Sequence, residues 1–468
     1  MGILNKLQVE AAKMKGNSYS FSYSCEELKY KSFLTGFNNK IFSLFNNYYE
    51  EINIPHSVQN LFKGKVVNHT ENQAALHHIY RDLYSSAPNN FASNDMVESC
   101  RLSIEKCIDL KKELINKGIK NVVTIGIGGS FEGPKLLIKA LTSEQKRNFK
   151  HIFLTGPDII EFKETVEPLN QKETFFIVSS KSFSTEETLQ SLNLSKSWLG
   201  FNCMFEDHFV AITSNPDEAR NYGFNDNIIE FPSEIGGRYS IWSDISIAAE
   251  IENSVELKQK FIEGGKQADL DLNNNNDYLK FVKMLAFSDI WLHNFKKKTS
   301  RVILSYIWKF RSFPDYIQQL EMESLGKQPS KESKYKKTGQ IIFGGYGPTA
   351  QHSYFQLLHQ GTHDISADII ASIEDSKNLA YVQAITQSKL LSNGADNFLD
   401  EKERINGNIP LNLFLIKSVD PYSLGYLIAT WEHRTFITAV MLGINPFDQF
   451  GVRAGKILTE KYLNQNGS

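Results

Sequence analysis

The chain has 468 residues, of which 41% are hydrophobic and 22% charged, and its formal net charge is −2. This length allows for about three domains, and the composition excludes a disordered chain and a polybasic surface for nucleic acid. The four cysteines, Cys25, Cys100, Cys107 and Cys203, lack the spacing of metal ligands and indicate reduced thiols rather than a zinc site.

Two stretches bear on where the protein acts. Residues 1–16 lack the uninterrupted apolar core of a secretion signal. Residues 424–443 come nearest to a membrane span, but they contain Glu432 and Arg434, and central charges cost roughly 2.5–3.5 kcal/mol each in a bilayer. We therefore expect a cytoplasmic protein in which residues 424–443 form a buried helix.

The chain begins with a polar region, residues 1–98, whose helical stretches and Asn- and Lys-rich connections predict an N-terminal helical extension. Between residues 99 and 277, apolar runs that predict strands alternate with helical patterns. The strands predicted in this region are 122–127, 151–154, 175–179 and 209–213. This alternation predicts a doubly wound parallel sheet, and hence a first α/β domain.

The asparagines at 273–276 predict a connector, after which the alternation restarts. The strands predicted after the connector are 302–308, 340–345, 367–373 and 412–418. They indicate a second α/β domain over residues 278–445, and a C-terminal helical arm follows at 446–468.

The first strand of the first domain runs into a glycine turn, IGIGGS at 125–130, and a helical run follows at 135–141. The third glycine is misplaced for the dinucleotide fingerprint G-x-G-x-x-G, and no acid suited to a ribose is evident. The turn therefore argues against a nicotinamide cofactor and leaves a phosphate group as the candidate ligand.

The strand at 175–179 leads into a loop rich in hydroxyl side chains, SSKSFST at 179–185, before a helix opens at Glu186. Hydroxyl donors and free backbone N–H groups converge at a helix N-terminus, where the helix dipole favours an anion. An ordinary capping box has the same pattern, so this loop alone leaves both interpretations open. Because the carboxyl ends of parallel strands meet at one edge of a sheet, the glycine turn and this hydroxyl loop together predict one phosphate site.

Later segments carry charged side chains that could act on a bound ligand. Arg238 lies beside two glycines in GGRYS, where it could stabilise an oxyanion or form a structural salt bridge. Glu321 and Glu323 are two residues apart, so on a helix they would diverge and only one would enter a site.

Two histidines, His352 and His359, are seven residues apart in a helical pattern, which is too far for one zinc ion. His359 as a proton carrier is the more economical interpretation. Gln449 and Lys456 have the same spacing on a predicted C-terminal helix, where a lysine is usually solvated.

Six motifs follow one another along the chain: IGIGGS, SSKSFSTEET, GGRYSIWSD, LEMESLGK, QHSYFQLLHQGT and NPFDQFGVRAGK. In this order and approximate spacing they resemble the phosphoglucose isomerase family, and NHTENQAALH at 68–77 is similar to an earlier motif of that family. The resemblance spans residues 68 to 456 or thereabouts.

The resemblance implies two doubly wound, flavodoxin-like domains of the SIS type with parallel sheets, and a sugar phosphate between them. It implies reversible isomerisation of glucose 6-phosphate and fructose 6-phosphate, a step of glycolysis and gluconeogenesis, by ring opening and a cis-enediolate. It also implies a homodimer whose active site is shared between subunits, with no cofactor, no metal and neither a nucleic acid nor a membrane as partner.

The resemblance assigns roles residue by residue. Glu323 matches the general base, and Arg238 matches the group that stabilises the intermediate. His359 and Lys456 match the ring-opening groups, and Glu187 matches the carboxylate that orients the histidine. Substrate contacts are assigned to Gly129, Ser130, Ser180, Lys181, Ser182, Thr185, Gln319 and Gln449.

Several positions depart from the family's pattern: Gln73, Phe131, Glu132, Leu325, residues 346–350, Phe450 and Arg453. None of them carries an assigned catalytic role, so we expect activity, while selectivity between sugars stays open. One alternative is a non-catalytic SIS-type protein that binds fructose 6-phosphate and regulates a partner, which would need only the hydroxyl loop. Another is a dual isomerase that also accepts mannose 6-phosphate.

Overall fold

The structure is a computed structural model that describes residues 2–13, 18–83, 94–200, 205–331, 333–395 and 400–466. Cys25 and Cys107 are free thiols. Cys203 and the side chain of Cys100 lie outside the described residues.

The strands of the described chain are β1 (Ser18–Tyr19), β2 (Ser22–Ser24), β3 (Leu28–Thr35), β4 (Asn121–Ile125), β5 (Lys150–Leu154), β6 (Thr174–Ser179), β7 (Phe209–Thr213), β8 (Ile228–Glu230), β9 (Ser300–Ser305), β10 (Ile341–Tyr346), β11 (Ile365–Ser372) and β12 (Leu411–Ile416).

Its α-helices are α1 (Ile3–Lys13), α2 (Asn39–Glu51), α3 (Ile54–Phe62), α4 (Ile79–Leu83), α5 (Asn94–Asn116), α6 (Gly129–Leu141), α7 (Ile159–Thr165), α8 (Glu186–Leu199), α9 (Phe205–His208), α10 (Pro216–Asn221), α11 (Ile247–Glu252), α12 (Val255–Asn274), α13 (Asn276–Asn294), α14 (Phe313–Leu325), α15 (Gly347–Ala350), α16 (Phe355–Gln360), α17 (Leu379–Asn393), α18 (Pro421–Leu442) and α19 (Arg453–Asn466).

The first sheet has the strand order β5-β4-β6-β7-β8, and all its strands are parallel. Every residue of β6 is buried, as expected for a central strand covered on both faces. Strand order reverses beside β4, the first strand of this sheet along the chain, as in flavodoxin-like folds. The predicted doubly wound parallel sheet is confirmed.

The second sheet has the parallel order β10-β9-β11-β12, and β3 continues it antiparallel to β12. On its other side β3 pairs antiparallel with β1 and β2, and its more buried and more exposed residues alternate because one face of the strand packs on the core. The N-terminal extension therefore contributes three strands, β1, β2 and β3, to the second sheet in addition to its helices. The division of the chain at residues 98, 277 and 445 stays a prediction.

The buried helix α18 packs against α12, α13 and α14. Its charged residues are paired, since Arg434 donates to Asp289 and Asp368, while Glu432 accepts from Arg81 and from Trp242. Pairing of this kind offsets the cost of burying charge in a protein core. No helix among the described residues is both long and apolar enough to cross a membrane.

Candidate active site

A cleft of about 710 Å³ opens at the carboxyl ends of β4, β6 and β7, where α14 and the start of α19 face it. Such an edge is the usual ligand site of an open parallel sheet. The predicted site residues that line it are Gly129, Ser130, Ser180, Lys181, Ser182, Thr185, Glu187, Gln319, Glu323, Gln449 and Lys456. The structure thus brings together residues from distant parts of the sequence.

The glycine turn holds the sheet edge against the segment that carries Arg238. Gly128 has a φ of +61°, a left-handed conformation that side chains rarely adopt, and α6 begins at the next residue. A Cβ on Gly129 would lie 1.9 Å from the carbonyl oxygen of Gly237. The absence of a side chain at Gly129 therefore allows the two segments to meet.

Gly129→Ala is expected to lower Tm and to reduce kcat/KM by more than about tenfold, because a forced shift of this junction misplaces the groups around the cleft. Gly236→Ala is the matched control, since its Cβ would meet the ring of Tyr239 at an ordinary 3.5 Å. Thermal melting and steady-state kinetics of both variants check this, and an unperturbed Gly129→Ala enzyme would contradict it.

A buried phenylalanine, Phe183, fixes the conformation of the hydroxyl loop. Phe183 has a φ of +52°, and its ring packs against Tyr222 and Phe224. The Phe183 N–H donates to Ser180 Oγ at 3.2 Å, which fixes the turn. Thr185 is the N-cap residue of α8 but makes no side-chain capping bond. Its hydroxyl is not engaged as in a capping box, which favours the anion-binding interpretation.

Lys181 lines the cleft beside these hydroxyl groups. Burial lowers the pKa of Lys181, as does Arg238, while Glu71 and Glu234 oppose the shift. An ammonium group attracts a phosphate only below its pKa, so binding should weaken as the pH rises through this lowered value.

We expect KM for a phosphorylated substrate to increase over the alkaline range below the ordinary pKa of a lysine, as Lys181 loses its proton. Lys181→Arg should abolish this increase, because a guanidinium stays charged throughout that range. Steady-state kinetics of both enzymes across the range provide the test. The same alkaline increase in the arginine variant would contradict the assignment to Lys181.

Two glutamates on α14 face in different directions, as predicted for a helix. Glu321 is buried, accepts from Trp431 Nε1 at 2.8 Å and pairs with Arg301. Glu323 lines the cleft, and its side chain is 27% exposed. Glu321 is therefore part of the core, whereas the carboxylate of Glu323 can reach a ligand.

Glu323 is held from two sides. Gln319 Nε2 donates to Oε1 at 3.1 Å, and Arg238 Nη1 donates to Oε2 at 3.3 Å. Arg238 is only 2% exposed, and its Nε donates to Ser324 Oγ at 2.8 Å. Arg238 fits both interpretations, the structural salt bridge and the oxyanion stabiliser. Its guanidinium is anchored in the core, and its Nη1 faces the carboxylate of Glu323 in the cleft.

His359 does not line the cleft, and neither does Arg238. The ring of His359 contacts Phe355 edge-on, and its Nε2 lies 2.9 Å from Gln387 Oε1. Burial lowers the pKa of His359, and the hydrogen bond with Gln387 opposes this shift. Within one chain the structure therefore does not pair His359 with Glu187, which lines the cleft.

Sequence analysis missed two cleft residues that follow β7, Ser214 and Asn215. Ser214 Oγ donates to the carbonyl of Lys181 at 2.9 Å, and Asn215 Nδ2 donates to that of Ser182 at 3.3 Å. They support the hydroxyl loop from the neighbouring strand. Their position after a third parallel strand of the same sheet was a signal that could have identified them.

One group of side chains outside the cleft has the composition of a metal site. Ligand atoms of Cys107, Asp244 and Glu250 lie within 4.8 Å of one another. Glu250 already pairs with the ammonium of Lys258, and Asp244 accepts from the hydroxyl of Tyr80 at 2.7 Å. These partners fit a buried polar cluster better than a set of metal ligands.

Comparison with known proteins gives matches over nearly the whole chain. The family model described as phosphoglucose isomerase matches residues 35–467. Glucose-6-phosphate isomerase of Legionella pneumophila (strain Lens) is 34% identical over 430 residues, which cover 90% of this chain and 86% of the relative. That of strain Paris is 32% identical over 465 residues, which cover 97% and 92%.

Among solved structures, a crystal structure of a glucose-6-phosphate isomerase from Chlamydia trachomatis superposes with a TM-score of 0.89 at 23% identity. The match covers 100% of this chain and 96% of that chain. A hypothetical protein from Thermus thermophilus has a TM-score of 0.68 at 21% identity, and that match covers 91% of this chain and 96% of the other. These two likenesses concern the fold.

Proposed function

The chain belongs to the phosphoglucose isomerase family and interconverts glucose 6-phosphate and fructose 6-phosphate, and we propose that it does so in the cleft beside Glu323. This reaction is a step of glycolysis and gluconeogenesis. The observation that carries the proposal is the position of Glu323, whose carboxylate lines the same cleft as the hydroxyl loop and the glycine turn.

The phosphate of the substrate would bind at the hydroxyl loop. Ser180, Ser182 and Thr185 offer hydroxyl donors, and Lys181 adds a positive charge. The free N–H groups at the start of α8 favour the same anion. Ser130, at the start of α6, lines the cleft next to this loop and offers a further hydroxyl.

The cyclic sugar must open before a proton can move between C2 and C1. Lys456 lines the cleft and would handle the proton on the O1 oxygen, while Gln449 would contact the sugar. The partner subunit's copy of His359 would protonate the ring oxygen, with Glu187 orienting its imidazole.

Glu323 would then abstract the C2 proton and return it to C1, through a cis-enediolate. The developing negative charge needs a fixed donor in a site with little water. Arg238 is suited to this role, because its guanidinium is anchored by Ser324 and points one nitrogen at Glu323. Every step is assigned to side chains, and none uses a cofactor or metal.

We also propose a homodimer with shared active sites, which two further features support. His359 lies on α16 outside the cleft of its own chain. Five apolar side chains of the C-terminal arm are exposed: Phe450, Val452, Ile457, Leu458 and Tyr462. A partner subunit would cover such a surface. A cytoplasmic location is part of the same proposal and is supported by the free thiols of Cys25 and Cys107.

The experiment that tests this assignment follows purified protein with fructose 6-phosphate by NMR. Formation of glucose 6-phosphate that a cleft-blocking open-chain polyol phosphate inhibits competitively would support it. Formation of mannose 6-phosphate as well would add the dual activity. Saturable binding of fructose 6-phosphate without any turnover would instead favour a regulatory protein.

A further inference from the structure

Asp448 connects three parts of the molecule next to the proposed active site. Its Oδ1 accepts a hydrogen bond from Lys327 Nζ at 2.7 Å, and its Oδ2 accepts one from Thr70 Oγ1 at 2.8 Å. Its backbone carbonyl accepts one from Arg238 Nη2 at 2.9 Å. Both carboxylate oxygens and the carbonyl of this buried residue are therefore engaged.

The partners of Asp448 belong to elements that carry the reaction. Lys327 follows the end of α14, the helix of Glu323, by two residues. Thr70 lies in a turn closed by a bridge between Asn68 and Gln73. Asp448 itself precedes Gln449, which lines the cleft, and the arm that bears Lys456. The residue Asp448 thus joins α14, which carries Glu323, to the turn at 68–73 and to the start of the C-terminal arm.

The same segment sets the direction of Arg238. Its Nη2 donates to the carbonyl of Pro446 as well as to that of Asp448, and its Nε donates to Ser324. With these nitrogens occupied, Nη1 is the one that meets Glu323. Because a guanidinium is planar and rigid, fixing two of its nitrogens fixes the third.

The carboxylate of Asp448 is also the counter-ion of Lys327. Burial lowers the pKa of Lys327, the hydrogen bond with Asp448 raises it, and Arg238 lowers it. The negative charge of Glu323 also raises the pKa of Lys327. Without the Asp448 charge, Lys327 would lose its hydrogen-bonded counter-ion and be drawn toward the catalytic carboxylate.

We propose that Asp448 is a positioning residue, which fixes the start of the C-terminal arm and through it holds Arg238 in the geometry that the isomerisation transition state requires. This inference rests on the proposed roles of Arg238 and Glu323. Asp448 does not line the cleft, so it acts through its neighbours rather than by touching the substrate.

Asp448→Asn should lower kcat by roughly 10- to 100-fold, because small displacements of a catalytic group cost about this much. KM should change by less than about threefold, since the substitution does not alter the hydroxyl loop that is proposed to bind the phosphate. Thr70→Val, which removes one of the two side-chain bonds, should lower kcat by about three- to tenfold. Asp158→Asn is the matched control, because this exposed acid caps α7 and asparagine caps equally well.

A double-mutant cycle separates positioning from general loosening of the fold. In an Arg238→Ala background, Asp448→Asn should reduce kcat by less than about twofold, because the group it orients is already gone. A hydroxamate analogue of the enediolate phosphate should bind Asp448→Asn more weakly by the factor lost in kcat/KM. Binding of an open-chain polyol phosphate should stay unchanged.

Full and independent losses of kcat in the two backgrounds would overturn the proposal, as would wild-type kcat in Asp448→Asn. If Asp448→Asn does not fold, Thr70→Val in the same two backgrounds decides the question. An Arg238→Ala enzyme with wild-type kcat would reject the proposed role of Arg238 and the positioning role with it. A slow Arg238→Ala enzyme beside a fully active Asp448→Asn enzyme would reject the positioning role alone.

Discussion

Glu323→Gln is expected to lower kcat for the isomerisation of fructose 6-phosphate by roughly 10² to 10⁴-fold, the usual contribution of a positioned base. A glutamine side chain keeps the size of the glutamate but cannot accept the C2 proton. Substrate affinity should stay within about threefold, because the phosphate is held on the other side of the cleft. Steady-state kinetics with fructose 6-phosphate, together with direct binding of a polyol phosphate, provide the measurement.

The matched control for this variant is Glu186→Gln. Glu186 is an exposed acid in the first turn of α8, next to the hydroxyl loop, and it does not line the cleft. It therefore carries the same change of charge near the site without a proposed role, and its kcat should stay within about twofold of the wild type. Unchanged turnover in Glu323→Gln would remove the base from the mechanism.

Mixing two inactive variants is expected to restore activity if the site is shared between subunits. Glu323→Gln and His359→Gln homodimers each lack one essential group in both sites. A mixed dimer has one site with neither group and one site with both. Random exchange makes half of the dimers mixed, so about a quarter of the wild-type activity should appear.

The mixing experiment uses equal amounts of the two variants, unfolded and refolded together or exchanged at low concentration. Each variant refolded alone is the control and should stay inactive. If the mixture is no more active than its components, His359 serves the cleft of its own chain or no cleft at all. Measured activity well above a quarter would also contradict one shared histidine in each site.

Much of the fold follows from local sequence patterns. The buried runs that become β4, β6 and β7 predicted a parallel sheet, because only strands covered on both faces are apolar throughout. β8 was missed because it has three residues. The antiparallel addition of β3 to β12 was missed as well, since its alternation of apolar and polar residues breaks at Ser32 and Phe33, where the serine is buried and the phenylalanine only partly buried.

Some parts of the candidate site are likewise evident from the sequence, and others are not. The glycine turn and the hydroxyl loop are contiguous, so their chemistry is visible in short motifs. Residue spacing alone did not choose between Glu321 and Glu323. The resemblance to the family chose Glu323, and the structure gives the physical reason, because Arg301 pairs with Glu321 in the core. The bond between Thr70 and Asp448 joins residues 378 positions apart, and no local pattern indicates such a contact.

The central claim is that Glu323 moves a proton between C1 and C2 through an enediolate. The most direct test converts fructose 6-phosphate in D₂O and measures deuterium at C2 of the glucose 6-phosphate formed. We predict deuterium at C2 from the wild-type enzyme, because the proton on a carboxylate exchanges with solvent, and no labelled product from Glu323→Gln. Deuterium-labelled product formed by Glu323→Gln at the wild-type rate would contradict the assigned base.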